Sequence, residues 1–292
     1  MPKTTEVKKV KGTSLTKRRI QKFCKNPMSV IALVILAILI LASVFAPVLT
    51  PYDPALINMK EKGLPMSWEH PLGTDRMGRD LFARILYGGR WSLFIGIATS
   101  LCVNFLGSAL GVVAGYFGGK VDSLIVSCSE LVTLLPTTLI IILLSSSMPI
   151  TVWVLILLWT LMGWSGTMRM VRSRVVSLKQ EPFVESCVAN GIPKISIMFH
   201  HIIPNTTGPI IVNTTMNVAG YILSEAALSY LGFGLDSSIP TWGNILNAVK
   251  RMDVILNDPI QWIAPGACIL ILVLCVNYLG DGLRDAMDAT TK

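Results

Sequence analysis

MSVIALVILAILILASVFAPVL, residues 28–49, holds no Asp, Glu, Lys or Arg. A helix of roughly 20 apolar residues crosses the ~30 Å hydrocarbon core of a bilayer, so this stretch reads as a membrane span. Immediately upstream, residues 1–27 carry nine of the chain's 25 Lys and Arg. A basic flank before an apolar run is also the plan of a secretory signal, but a signal's apolar part is only ~7–15 residues. The longer run here is read as a retained first span behind a basic cytoplasmic tail.

Five more apolar runs follow, near residues 91–116, 125–145, 149–168, 208–231 and 262–280. Together they predict an all-α membrane protein with six transmembrane helices and both termini cytoplasmic. On that topology, 17 Lys and Arg fall inside (9 in residues 1–27, one at Lys120, 5 in 169–207 and 2 in the tail) and 8 outside. That asymmetry is the positive-inside pattern. Composition agrees: 52% of the 292 residues are hydrophobic and 14% charged, against roughly 25% charged in soluble domains. The formal charge of +8 is concentrated at the first span, which points to a membrane surface and not to nucleic acid.

The expected organisation is a basic tail (1–27), the first span (28–49), an extracytoplasmic segment (50–90), a five-helix core (91–280) with a cytoplasmic loop at 169–205, and a cytoplasmic tail (281–292). Residues 50–90 hold six of the eight outside positives together with Asp53, Glu61, Glu69, Asp75 and Asp80, so they read as a nearly neutral folded cap. Cys24 and Cys187 fall inside, and Cys102, Cys128, Cys268 and Cys275 lie in apolar runs, which leaves none for an outside disulfide. Spans three and four are separated only by the break at Ser145–Pro149. Gly107, Gly111 and Gly115 align on one helix face and suit close helix packing.

Several side chains stand out. Glu130 and Glu225 lie within apolar runs, where an acid is a functional candidate or the partner of a neighbouring helix. Trp153, Trp159, Trp164, Trp242 and Trp262 are read as interface anchors at span ends, not as a substrate cage. His200 and His201 are adjacent, so on a helix they diverge by about 100° and make a poor metal pair. Neither His-Glu-x-x-His nor Gly-x-Ser-x-Gly occurs, which argues against a membrane-embedded hydrolase.

Between spans four and five, Arg169–Asn205 is too long for a turn and too short for a domain. Pro182 suits a first helical position, Glu185 favours the positive end of the helix dipole, and Gly191 can end that helix. Pro193 can open a second helix with Ile195, Ile197, Met198, Phe199, Ile202 and Ile203 as its apolar surface, and Pro204 with Asn205 is read as its stop. A helix-turn-helix knob projecting into the cytoplasm results.

In this knob Glu185, Ser186, Cys187, Gly191, His201, Ile203 and Pro204 resemble the coupling-loop pattern of ATP-binding-cassette importer permeases: Glu-Ala-Ala, three residues, Gly, nine residues, His-x-Leu-Pro. Ser186 and Cys187 stand at the two Ala positions, Ile203 at the Leu, and Pro193 where a small polar residue is usual. Further motifs narrow the resemblance to the C-type subunit of the dipeptide, oligopeptide and nickel permease group. They are Pro51-Tyr52-Asp53-Pro54, Pro71-Leu72-Gly73-Thr74-Asp75, Gly78-Arg79-Asp80, Ala114-Gly115-Tyr116-Phe117-Gly118-Gly119, Leu228-Ser229-Tyr230-Leu231-Gly232-Phe233-Gly234 and Gly280-Asp281-Gly282-Leu283-Arg284-Asp285.

The resemblance implies a multi-pass permease of a bacterial plasma membrane that does no bond chemistry. It implies a homologous second permease, two cytoplasmic ATPase subunits and an extracytoplasmic solute-binding protein as partners. The chain has no Walker loop and is expected to bind no cofactor; ATP and Mg would sit on the ATPases. The coupling residues would dock on an ATPase, while Asp75, Arg79 and Asp80 would serve the outer gate, dock the binding protein, or brace the cap. Peptide is the expected cargo, with nickel or another metal chelate as the alternative on the same scaffold. An ion-coupled secondary transporter is the remoter reading, and it would leave the coupling pattern unexplained.

Overall fold

The computed structural model describes residues 15–287; residues 1–14 of the basic tail and 288–292 of the C-terminal tail lie outside the described residues. The fold is all helical. Helix α1 (Leu15–Lys25) leads into α2 (Pro27–Val44), the first span, followed by the short α3 (Ala46–Leu49). Asn26 caps α2 by accepting from the backbone N–H of Met28 and Ser29 at 3.2 and 3.4 Å, and Pro27 occupies the first turn, where its missing N–H costs nothing. Most of α2 is apolar and exposed, as a lipid-facing helix should be. Its small polar residues turn inward: Ser29 donates to the Tyr278 carbonyl at 3.0 Å, and Ser43 packs against Gly89.

The second span departs from the expected start at residue 91. Helix α4 begins ten residues earlier and runs Leu81–Phe117, about 55 Å at 1.5 Å per residue. Asp80 caps it, accepting from Ala83 N–H at 2.6 Å. Residues 81–89 look like loop because of Arg84 and Gly88-Gly89, yet Leu81, Ile85 and Leu86 are buried and Trp242 packs on this turn. Residues 50–80, which form the cap, therefore sit on a continuous helix.

The run expected to form the third span is bent. Helices α5 (Gly119–Leu134) and α6 (Thr137–Ser145) meet at a 62° bend, at Pro136, whose ring and missing N–H disfavour a helix interior. Helix α7 (Val152–Lys179) follows after a further break, so α6 and α7 are separate helices. Gly107, Gly111 and Gly115 of α4 do set the α4–α7 approach. A Cβ on each would lie 2.7, 2.7 and 2.8 Å from the carbonyl oxygens of Trp164, Met168 and Arg172, a matched four-residue repeat on both helices.

After α7 come α8 (Pro182–Ala189), α9 (Lys194–Ile197), α10 (Ile203–Leu231), α11 (Trp242–Ala248), α12 (Met252–Asn257) and α13 (Ile260–Met287). Among the described residues, α2, α4, α7 and α13 are long and apolar enough to cross a membrane, and the bent α5–α6 pair makes a fifth span if counted as one. The remaining expected span, α10, has 29 residues but holds Asn205, Asn213, Asn217 and Glu225. Its polarity is absorbed inside the bundle: Asn213 donates to Asn104 Oδ1 at 2.7 Å and to Thr167 Oγ1 at 3.0 Å.

The tryptophans correct the interface reading. Trp159, Trp164 and Trp242 are buried and only Trp153 and Trp262 are exposed, because three of the five face neighbouring helices and not the bilayer edge.

Candidate functional site

The knob forms where the sequence punctuates it. Pro182 sits in the first turn of α8, with Glu185 also in that turn. Gly191 takes a φ of +71°, its N–H reaching the Val188 carbonyl at 3.0 Å and that of Ile192 reaching Cys187 at 3.1 Å, the paired bonds of a left-handed helix ending. Beyond Gly191 the expectation needs correction. No separate helix runs from Pro193 to a stop at Pro204; α9 is a single turn that passes through a π-helical turn at Met198–Ile202 directly into α10. Pro204 lies in the first turn of α10, where proline starts a helix rather than ending one.

The knob is tied to the bundle from within. Val184, Ile197 and Ile202 are buried with Val171, Val175 and Leu178 of α7 and with Val112 and Tyr116 of α4. Lys179 donates to the Tyr116 carbonyl at 2.8 Å, and Arg172 pairs two-pronged with Asp122 of α5, one arm at 2.6 Å. That ion pair was not singled out from sequence; its only signal was opposite charge at the ends of neighbouring spans. These bonds tie the end of α7, from which the knob projects, to α4 and α5.

Its outer side is different. Glu185 and Ser186 are exposed, Cys187 is half-buried, and Phe183, Val188, Ile195 and Phe199 are large exposed apolar side chains. Large apolar side chains left exposed together are a common feature of interaction surfaces. His200 approaches its own helix's Ser196 carbonyl at 3.1 Å, and Asn205 donates to the His201 carbonyl at 2.7 Å. Among the described residues, no group of three or more His, Cys, Asp or Glu is placed to hold a metal.

In the outer cap, Asp75, Arg79 and Asp80 come together but point inward. Asp75 accepts from Arg79 Nε at 2.7 Å and lies 3.9 Å from Arg84. Asp80, besides capping α4, is bonded to His70 Nδ1 at 2.8 Å, and the Tyr52 ring stacks on that imidazole at 4.8 Å. Gly78, at φ +73°, presses on the Asn58 backbone, a position no other residue would fit. All three charged residues are buried, against partners within the cap and on α4. The cap's exposed link is Arg76, paired with Asp253 of α12.

The two acids differ. Glu130 is exposed on α5, whereas Glu225 is wholly buried. Ser229, one turn along α10, donates to Glu225 at 2.7 Å, while the other carboxylate oxygen, Oε2, is buried with no hydrogen-bond partner among the described residues. The Ser92 and Thr241 hydroxyls accept the backbone N–H of Trp242 and Asn244, and Trp242 Nε1 donates to the Ile85 carbonyl at 3.0 Å, joining α11 to α4.

Comparison with known proteins places this arrangement. Residues 107–292 match the family model described as binding-protein-dependent transport system inner membrane component. Residues 14–65 match the N-terminal transmembrane domain of oligopeptide transport permease C. The chain is 34% identical over 278 residues to an oligopeptide transport system permease protein of Bacillus subtilis, covering 95% of this chain and 90% of that protein. It is 36% identical over 268 residues to a dipeptide transport system permease protein of Alkalihalophilus pseudofirmus, covering 92% and 88%. It is 35% identical over 286 residues to the oligopeptide permease protein of Haemophilus influenzae, covering 97% and 91%.

Proposed function

The chain belongs to the family of binding-protein-dependent transport system inner membrane components, and from that premise we propose how it works and with what. It is a permease subunit of an ATP-binding-cassette peptide importer, without an ATPase site of its own, and its partners include an ATPase and a solute-binding protein. Peptide as cargo follows from its oligopeptide and dipeptide permease relatives; nothing favours nickel.

In the proposed assembly a homologous second permease completes the pathway, and each of two ATPase subunits receives one knob. Helix α10 is the sixth span, both termini face the cytoplasm, and the cap and α11–α12 lie outside. The observation that carries the coupling role is the knob's construction, an apolar exposed surface around Glu185 on a base packed against α4 and α7. A groove closing with ATP would move such a knob as a rigid body and tilt the attached spans. Cap residues Asp75, Arg79 and Asp80 brace the outer gate, and Glu225 plays a structural part inside the bundle.

The test is co-purification of the tagged chain in mild detergent, with mass spectrometry and an ATPase assay. Recovery of a second permease and an ATPase is expected; a lone chain that transports in liposomes would sink the reading. Glu185→Lys should assemble normally but cut peptide uptake by roughly tenfold or more while ATP hydrolysis continues. Unimpaired uptake would remove Glu185 from coupling.

A further inference from the structure

A cavity of about 310 Å³ opens between α6, α7 and α10, at the lower end of the ~300–1,000 Å³ typical of small-molecule sites. Its wall is built from Thr137 and Thr138 just past the Pro136 bend, Trp159 and Gly163 of α7, and Tyr221 and Ser224 of α10. The Trp159 and Tyr221 rings lie 5.8 Å apart and tilted by 48°. Glycine at 163 makes the room, since a Cβ there would run into the Tyr221 hydroxyl. No Asp, Glu, Lys or Arg lines the cavity.

The hydroxyls are the telling part. Those of Thr137, Thr138 and Tyr221 have no hydrogen-bond partner among the described residues, and only Ser224 turns back, to the Gly220 carbonyl at 2.8 Å. Facing hydrocarbon, each free hydroxyl would cost about 1–3 kcal/mol. A second cavity, of about 490 Å³ between α2, α4, α10 and α13, shows what a lipid-compatible wall looks like on the same chain. It is Leu and Ile throughout apart from Val218, Val276 and Thr214 with Thr215, whose hydroxyls bond to the Ile210 and Ile211 carbonyls of their own helix at 2.7 and 3.0 Å.

We propose that the α6–α7–α10 cavity is a transit subsite for one uncharged side chain of a passing peptide, with the free hydroxyls meeting peptide amides and the Trp159–Tyr221 pair meeting the side chain. The inference rests on the peptide-import reading. On the proposed topology, Trp159 and Ser224 each lie seven residues, about 10 Å, below the outer helix ends at Val152 and Leu231. The subsite is thus in the outer half of the bilayer, where a docked binding protein would hand over its cargo. With no charge in its wall, it favours apolar and small side chains over ionised ones.

The test uses the whole transporter in proteoliposomes with binding protein and ATP, and the photoreactive tripeptide Ala-benzoylphenylalanine-Ala. Illumination during turnover should give adducts on α6, α7 and α10 at the cavity wall. Ser224→Trp, whose new side chain enters an open position, should lower uptake of this tripeptide by roughly tenfold with binding-protein-stimulated ATPase activity retained. Adducts confined to the second cavity or to the partner permease, or full uptake by Ser224→Trp, would overturn the subsite while leaving peptide import standing. Failure of the wild-type assembly to take up any peptide would instead remove the parent reading, and the subsite with it.

Discussion

On the knob, Phe183, Val188, Ile195 and Phe199 are 41%, 60%, 63% and 56% exposed; in the cap, Asp75, Arg79 and Asp80 are 6%, 6% and 4% exposed. Surfaces in water ordinarily do the reverse, burying apolar groups and showing charges. The cap's inversion is self-sufficient, because each buried charge has a partner: Arg79 for Asp75, His70 and the α4 N-terminus for Asp80. The knob's exposed apolar side chains have no such internal answer, and on the proposed function an ATPase supplies it.

Sidedness is the first way to break that comparison, and its effect is all or none. Trp68 is fully exposed on the cap and Ile195 is exposed on the knob. In a variant cleared of its own cysteines, Trp68→Cys should react with an impermeant maleimide from outside intact cells, and Ile195→Cys only after permeabilisation. Both reacting from one side would end the topology.

Next in size is the cap's self-sufficiency. Asp75→Ala leaves Arg79 and Arg84 buried without their acid, and removing one member of a buried pair costs about 3–5 kcal/mol. A marked fall in the melting temperature of the purified chain is expected, with or without partners present. If the loss appeared only in the assembled transporter, Asp75 would be a docking residue after all. A smaller and opposite pattern is expected on the knob. Phe199→Ala should leave the isolated chain's melting unchanged and weaken ATPase association by about 1–2 kcal/mol, the range of a moderate interface contact. Equal destabilisation of the isolated chain would mean that Phe199 packs internally.

How far the sequence could be read follows from the same contrast. Long apolar runs were legible because the bilayer demands them, and Gly191 and Pro182 mark the first knob helix correctly because backbone chemistry leaves little choice. The start of α4 was not, since Arg84 and Gly88-Gly89 look like loop until Trp242, over 150 residues away, is seen packed on them. Pro204 reads as a stop from sequence because proline is common both in a helix's first turn and just beyond a helix's end, and the π-helical turn before it decides which. The 62° bend had Pro136 as its signal inside an otherwise uniform apolar run. The α6–α7–α10 cavity had almost none, because Trp159 and Tyr221 lie on different helices and the tryptophan reads as an interface anchor. Burial of the Asp75 cluster depends on contacts that spacing does not encode.

The smallest effect concerns an exposed strap between the cap and α12, the pair Arg76–Asp253. Hydrogen bonding from Arg76 holds the Asp253 carboxyl below its ordinary value of 3.8, with Arg251 adding to it and desolvation opposing. A carboxyl depressed on folding contributes its contact fully above the ordinary value and loses it as pH falls through the depressed one. Exposed pairs are weak and screened by salt, so no change in overall melting is expected. What should change is local opening of α12. Amide exchange there should be faster in Asp253→Asn than in wild type at neutral pH, and the difference should shrink in high salt and vanish once the acid is protonated. A difference that persists at low pH would mean the α12 contact is made by shape and not by charge, and the cap would then be joined to α12 as firmly as it is joined to α4.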